Sequence, residues 1–140
     1  NSIVRYLCEY NGNTPWFPHS LEKRAQAYQW MDWYLTTLHP HMTTIFWQLI
    51  RTPDNERDHS AIDAAIKEAT KYWSILDNHL KTKKFVLGEE ISMADIPVGC
   101  AAYRWYNLEI NRPNLKNLDH WRKLLSNRQP YKSHVMLPLT

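Results

Sequence analysis

Ser92 and Asp95 are the first candidates for chemistry, because a hydroxyl and a carboxylate stand three residues apart between Ile91 and Ile96. A carboxylate beside a hydroxyl could serve as a general acid or base. No histidine or lysine lies near Asp95 in the sequence, however. The same spacing forms a helix-capping box, in which the hydroxyl accepts from the Asp95 N–H and the carboxylate accepts from the Ser92 N–H. Ile91 and Ile96 complete its hydrophobic staple. We therefore predict that these four residues start a helix.

The histidines are the second candidates. His39 and His41 are two residues apart, and such a pair points to different faces of a helix, so it does not predict a shared metal. His59 and His79 are isolated, and a surface or packed histidine is the simpler interpretation of each. The stretch DNERDHS lacks the glycine and the closing glutamate of a calcium loop. We expect no metal site.

The third candidates are six aromatic residues close together in the sequence: Tyr28, Trp30, Trp33, Tyr34, Phe46 and Trp47. They cannot all face one core. Core packing accounts for most of them, and we expect two or three to line a partner surface or a ligand groove. The sequence contains no P-loop, dinucleotide fingerprint or nucleophile elbow.

The elements that position these residues are helices. Apolar residues recur at a spacing of about 3.6 residues over roughly 20–51 and 60–81. A further helix over about 92–107 has no charge between Asp95 and Arg104, so it should be central. No strand-like alternation persists. We therefore predict an all-α fold, a bundle of five or six helices joined by short loops.

Pro40 interrupts the first long helical stretch. Proline has no N–H, and its ring clashes with the carbonyl four residues back. The sequence therefore predicts a kink near Thr36–Pro40, inside the helix that carries His39.

Composition excludes several classes of protein. The 140 residues are enough for one domain with a core. Seventeen basic and fourteen acidic residues give a net charge of +3, and they are interspersed, so we expect no nucleic-acid partner. No apolar run approaches membrane-spanning length, so no membrane partner is expected. Cys8 and Cys100 fit neither a disulfide framework nor a metal motif, and we interpret them as reduced thiols of a cytoplasmic protein.

The order of several stretches resembles the helical C-terminal domain of cytosolic glutathione transferases of the bacterial theta/beta-like kind. These stretches are WFP, KRAQAYQWMDWYLTTLHPHM, AIKEATKYWSILDNHL, FVLGEEISMADIPVG and LDHWRKLLSNRQPYKSHVMLPL. SMADI resembles the family's capping box and staple. NSIVRYL resembles the last helix of the family's thioredoxin-like N-terminal domain. The resemblance covers essentially the whole chain and implies a remnant of that domain at 1–10, a linker at 11–19 and the helical domain at 20–140.

The resemblance also implies a chemistry. In this family a Tyr, Ser or Cys of the thioredoxin-like domain activates the thiol of glutathione, which is a co-substrate, and no prosthetic group takes part. The thiolate then attacks a small apolar electrophile. The helical domain supplies the apolar wall for the electrophile and much of a homodimer interface. The resemblance thus implies a detoxification enzyme, with this chain inactive when it lacks the thioredoxin-like domain.

The candidate substrate-binding residues lie on the first long helix. One face of this helix is more polar than the rest. Its residues follow helical spacing and are Gln29, Asp32, Thr36, His39 and Thr43. The place of His39 resembles that of a histidine near the active-site thiol of beta-type enzymes. We expect the kink at Pro40 to aim His39 into the cleft, and Trp33 to belong to the apolar wall. Asp32 could equally be an exposed helix charge. Arg5 is expected to face solvent.

Two alternatives remain open. One is a non-catalytic member of the same fold that serves as a binding or assembly module. The other is a free-standing helical domain that binds a ligand or a partner. A thioredoxin-like region ahead of Asn1 would exclude the second.

Overall fold

The structure is a computed structural model and describes residues 1–12 and 15–140. Asn13 and Thr14, within the predicted linker 11–19, lie outside the described residues. The described α-helices are α1 Ser2–Tyr10, α2 Leu21–Trp33, α3 His39–Phe46, α4 His59–His79, α5 Asp95–Asn107, α6 Lys116–Ser126 and α7 Gln129–His134. The only pairing of extended backbone within these residues is one isolated bridge between Phe85 and Gly88. The predicted all-α class is confirmed.

The helices α2 and α3 are two parts of one continuous rod, so the described chain has six separate helices. A π-helical turn, Tyr34–Leu38, joins them, and a second one, Trp47–Arg51, ends the rod. In the first π turn the His39 N–H donates to the Tyr34 carbonyl, five residues back. Because Pro40 has no N–H to donate and its ring crowds the preceding turn, the regular ladder is interrupted here. The structure thus has a π turn at the place where the sequence predicts a kink, near Thr36–Pro40.

The core lies between the rod, α4, α5 and α6. Its largest wholly buried side chains are Trp73, Trp105 and Trp121, one from each of α4, α5 and α6. Leu and Met side chains of the rod and of α4 fill the space around them. Each such side chain, when fully buried, stabilises the fold by about 1.5–3 kcal/mol. The helix α5, which has no charge between Asp95 and Arg104, buries Val98, Ala101, Ala102 and Trp105, so its predicted central position is what the structure shows.

Gly99 allows α5 and α6 to approach closely. A Cβ atom at this position would lie 2.8 Å from Cδ1 of Leu125 and 3.5 Å from Cε2 of Tyr131. The Tyr131 hydroxyl also donates to the Gly99 carbonyl at 2.7 Å. The absence of a side chain at position 99 therefore brings α6 and α7 onto α5.

The start of α5 is organised around the buried carboxylate of Asp95. Its Oδ2 accepts from the N–H and the hydroxyl of Ser92, at 2.9 and 3.1 Å. Its Oδ1 accepts from the Val86 N–H at 2.9 Å and from the Trp121 indole N–H at 2.8 Å. Burial raises the pKa of Asp95, and these four donors act against that rise. One carboxylate thus joins the start of α5 to the preceding loop and to α6.

Two details differ from the capping box that the sequence predicts. The helix α5 begins at Asp95, not near Ser92. The Ser92 hydroxyl accepts from the Ala94 N–H at 3.3 Å, while the Asp95 N–H donates to the Ser92 carbonyl at 3.0 Å. The reason is a tight turn over residues 92–95, in which the i to i+3 backbone bond occupies the Asp95 N–H. The expected staple residues, Ile91 and Ile96, line one apolar cavity of about 270 Å³.

The helix α1 packs on α2 through polar contacts. The Asn1 side-chain amide donates to the Met31 carbonyl at 2.7 Å. The Arg5 guanidinium forms an ion pair with Asp32 and lies 4.6 Å from the centroid of the Tyr28 ring. The expectation that Arg5 faces solvent was therefore wrong, because α1 and α2 lie close enough for the pair to form.

The opposite face of α1 is apolar and exposed. The exposed side chains are Ile3, Tyr6, Leu7 and Tyr10, and Ile3 and Tyr10 are about three-quarters accessible at 74% and 76%. At the other end of the chain, the Tyr103 hydroxyl donates to the Leu137 carbonyl at 2.7 Å, which holds the C-terminal segment against α5. Over the described residues, no helix combines the length and the apolar character needed to cross a bilayer.

Candidate functional site

Three side chains of the rod form a continuous row across the first π turn: Tyr34, His39 and Thr43. The rings of Tyr34 and His39 meet edge to face, with centroids 5.5 Å apart. The Thr43 hydroxyl lies 3.3 Å from Nδ1 of His39. In a regular α-helix, residues five apart point in different directions. The π turn takes about one more residue per turn. Tyr34 and His39 are therefore brought to the same side of the rod.

The helix α5 faces this part of the rod with Cys100, Tyr103 and Arg104. The Arg104 guanidinium lies 4.9 Å from the centroid of the Phe46 ring. Arg51, at the end of the rod, approaches the same ring to 5.8 Å. Phe46 is thus contacted by two cations that come from different elements.

A groove of about 240 Å³ opens beside these contacts, and we call it the Phe46 groove. The residues that line it are Phe46, Cys100, Tyr103, Arg104, His134, Val135, Leu137, Pro138, Leu139 and Thr140. Apolar and aromatic residues alternate here with polar groups, including the Arg104 guanidinium, and polar and apolar atoms share the surface about equally. Such a mixed surface suits a ligand with an apolar part and polar groups.

Two ionisable groups near the groove have raised pKa values, which favours their protonated forms. Burial raises the pKa of the Tyr34 phenol, and the positive charge of Arg104 opposes that rise. Burial likewise raises the pKa of the Cys100 thiol, again opposed by Arg104. At neutral pH the described site therefore presents a phenol and a thiol. Tyr34 can donate a hydrogen bond, whereas neither group is a ready anionic nucleophile.

The polar face that the sequence predicts is divided by the structure. Asp32 turns toward α1 and pairs with Arg5, and the Thr36 hydroxyl donates to the Asp32 carbonyl at 2.8 Å. His39 and Thr43 lie together beyond the π turn. The reason is the π turn itself, because it changes the angular relation between residues before and after it.

Gln29 and Trp33 lie in a different groove, of about 540 Å³, between α2 and α4. It is lined by Gln26, Gln29, Trp30, Trp33, Ile75, His79, Lys83, Val86 and Leu87. The rings of Trp30 and Trp33 meet edge to face at 5.0 Å, and His79 lies 4.3 Å from Trp30. Trp33 therefore belongs to an aromatic surface that is separate from the Phe46 groove.

Sequence reasoning missed Arg104 and Cys100 as site residues. Tyr34 and Phe46 were present only within the larger aromatic set. One signal could have identified Arg104, because it is the single charged residue between Asp95 and Glu109. A lone charge on an otherwise apolar helix needs either a partner or solvent. Among the described residues no cluster of three or more His, Cys, Asp or Glu side chains could hold a metal ion.

Residues 38–129 match the family described as "Glutathione S-transferase, C-terminal domain". The chain is 35% identical over 140 residues to the glutathione S-transferase GstB of Escherichia coli (strain K12), covering all of this chain and 67% of that protein. It is 27% identical over 139 residues to elongation factor 1-gamma of Rattus norvegicus, covering 95% of this chain and 30% of that protein.

A solved structure is similar over almost the whole fold. It is the theta class glutathione S-transferase from Xanthomonas axonopodis pv. citri with glutathione bound, which superposes with a TM-score of 0.95 at 34% sequence identity. The superposition covers 99% of this chain and 72% of that one.

Proposed function

Because the chain belongs to the glutathione S-transferase family and carries its C-terminal helical domain, we propose that the full-length protein joins glutathione, through its sulfur, to small apolar electrophiles. The part described above forms the electrophile-binding side of the active site. Glutathione is the co-substrate, and no prosthetic group takes part.

In the proposed reaction the glutathione thiol first loses its proton to solvent water, and the thiolate attacks an electrophilic carbon. A carbon–sulfur bond forms while the bond to the leaving group, such as a halide, breaks, and the halide departs with the bonding electron pair. The thiol-activating residue belongs to a thioredoxin-like domain whose last helix is 1–10, followed by the linker 11–19 and the helical domain 20–140.

The observation that carries the proposal is the row of Tyr34, His39 and Thr43 along the rod, next to the Phe46 groove. His39 stands in the middle of this row, half-buried, and contacts both neighbours. A half-buried imidazole between a phenol and a hydroxyl can hold a polar group of a substrate in one orientation. We therefore place His39 at the electrophile, with Thr43 orienting its ring.

The test is steady-state conjugation of glutathione to 1-chloro-2,4-dinitrobenzene by the full-length protein. We expect His39→Ala to lower kcat/KM by about tenfold or more, a usual size for the loss of one positioned group. His59→Ala is the matched control, because His59 is exposed at the start of α4, and it should have wild-type kinetics. Unchanged kinetics in His39→Ala would remove His39 from the site. A folded full-length protein without any transfer activity would instead support a non-catalytic binding or assembly module.

We further propose that the full-length protein is a cytoplasmic homodimer. The resemblance to the family supports the dimer, whereas the exposed apolar face of α1, with Ile3, Tyr6, Leu7 and Tyr10, is where the rest of the thioredoxin-like domain would pack. Sedimentation velocity of the full-length protein tests the dimer, and a monomer at micromolar concentration would contradict it.

A further inference from the structure

Two arginines converge on one aromatic ring at the edge of the Phe46 groove. Arg104 comes from the last turns of α5, and Arg51 comes from the end of the rod. Their guanidinium carbons lie 4.9 and 5.8 Å from the centroid of Phe46. Within the described residues, no carboxylate side chain lies within ion-pair distance of either arginine. The ring offers each cation a weak attraction, of about 0.5–1 kcal/mol at an exposed site.

The groove beside these cations has no acidic side chain in its lining, and Arg104 lines it directly. Two like charges held near one ring raise the positive potential of the groove. An anionic ligand group would be attracted by that potential. The planar fork of an arginine is also matched to a carboxylate, since it can donate two parallel hydrogen bonds.

The size of the groove suits one substituted aromatic ring. A cavity of roughly 150 Å³ with apolar walls can hold benzene, and the Phe46 groove measures about 240 Å³. The Phe46 and Tyr103 rings and the apolar segment Leu137–Leu139 provide surfaces for such a ring. The remaining volume leaves room for substituents.

We propose that the electrophile taken by this site is an aromatic compound that carries a carboxylate, and that Arg104, assisted by Arg51, binds the carboxylate beside Phe46. This inference rests on the proposed transferase function and adds a substrate class to it. Arg104 is a specificity-determining residue in this scheme. It increases the affinity for anionic electrophiles and leaves the attack by the thiolate unchanged.

The test uses two compounds with the same reacting carbon, 4-chloro-3,5-dinitrobenzoate and its neutral amide, 4-chloro-3,5-dinitrobenzamide. In each, the thiolate of glutathione displaces chloride. Rates with the full-length protein are divided by the uncatalysed rates with glutathione, which removes the difference in intrinsic reactivity. We expect the wild-type protein to prefer the carboxylate by about tenfold in this ratio, since one charge-assisted hydrogen bond at a partly exposed site contributes about that factor.

The variants are Arg104→Gln, Arg51→Gln and the control Arg24→Gln. Arg24 lies 4.9 Å from the Phe17 ring, so it reproduces the arginine–phenylalanine contact away from the groove. Arg104→Gln should abolish the preference, because the KM for the carboxylate should rise about tenfold more than the KM for the amide. Arg51→Gln should reduce the preference partly, Arg104→Lys should restore part of it, and Arg24→Gln should keep it.

The outcomes separate the two proposals. If the wild-type protein turns over the amide but shows no preference for the carboxylate, the inference is overturned and the transferase function stands. The same conclusion follows if Arg104→Gln loses equal activity with both compounds. Turnover of neither compound by folded wild-type protein overturns both. Thermal unfolding of each variant shows whether a loss reflects the fold, and Arg104→Lys provides the comparison if Arg104→Gln is unstable.

Discussion

The indole N–H of Trp121 donates a hydrogen bond of 2.8 Å to the carboxylate of Asp95. The two residues belong to α6 and α5, and both are almost completely buried. The same carboxylate also accepts from Val86 and Ser92. Asp95 is therefore a junction between three segments as well as the start of a helix, and its loss should affect the whole bundle.

Asp95→Ala should destabilise the protein by about 3 kcal/mol or more, because several buried donors would lose their acceptor at about 1–3 kcal/mol each. The measurement is urea unfolding followed by tryptophan fluorescence. Asp95→Asn keeps the size and part of the acceptor capacity, so it should fall between Asp95→Ala and the wild type. A variant Asp95→Ala that is as stable as the wild type but inactive would indicate a catalytic carboxylate instead.

Asp77 caps the helix α6 from outside it. Its carboxylate accepts from the backbone N–H groups of Asn117 and Leu118, both at 2.8 Å. Asp77→Ala should lower the free energy of unfolding by about 1–2 kcal/mol, the usual range for losing a helix cap. Amide hydrogen exchange should also quicken in the first turn of α6. Asp63→Ala, at an exposed position of the same helix α4, is the control and should change neither quantity.

Gly99→Ala tests the close approach of α5 and α6. Inside a helix, alanine is more favourable than glycine by up to about 1 kcal/mol. At position 99, however, its Cβ would lie 2.8 Å from the buried Leu125 side chain. Overpacking of this kind costs about 1–3 kcal/mol, so we expect net destabilisation and a lower Tm. Gly12→Ala is the control, since its nearest contact is an ordinary 3.5 Å to the Glu9 carbonyl. A higher Tm for Gly99→Ala would show that the helices can separate without cost.

His79 should make stability depend on pH. Burial lowers the pKa of His79 below its ordinary value, while its Nε2 lies 2.7 Å from the Val86 carbonyl and donates to it. The unfolded chain therefore takes up a proton at a higher pH than the folded one. Stability is lost as pH falls through the ordinary histidine pKa of about 6.5. Urea unfolding at pH 7.5 and 5.5 measures this loss.

His79→Gln is the matched variant, because its amide can still donate to the Val86 carbonyl without titrating. We expect a smaller loss of stability between the two pH values in this variant than in the wild type. Equal losses would mean that other groups account for the pH dependence.

Much of the fold could be predicted from local patterns. The 3.6-residue period of apolar residues predicts the rod and α4, and the absence of charge between Asp95 and Arg104 predicts the central position of α5. The Pro40 ring predicts an irregular turn close to where the π turn lies. Each of these depends on neighbours within one or two helical turns. Sequence spacing is sufficient to reveal them.

The candidate site could be predicted only in part. The spacing identified His39 and Thr43, but it assumed a regular helix, so it grouped them with Asp32 and missed Tyr34. Only the π turn aligns Tyr34 with His39. Likewise, Arg5 meets Asp32, and Arg104 meets Phe46, because helices that are distant in sequence pack together. The sequence alone thus determined which stretches form the main helices. Tertiary packing decided which side chains share a groove, since contacts between distant helices leave no local pattern in the chain.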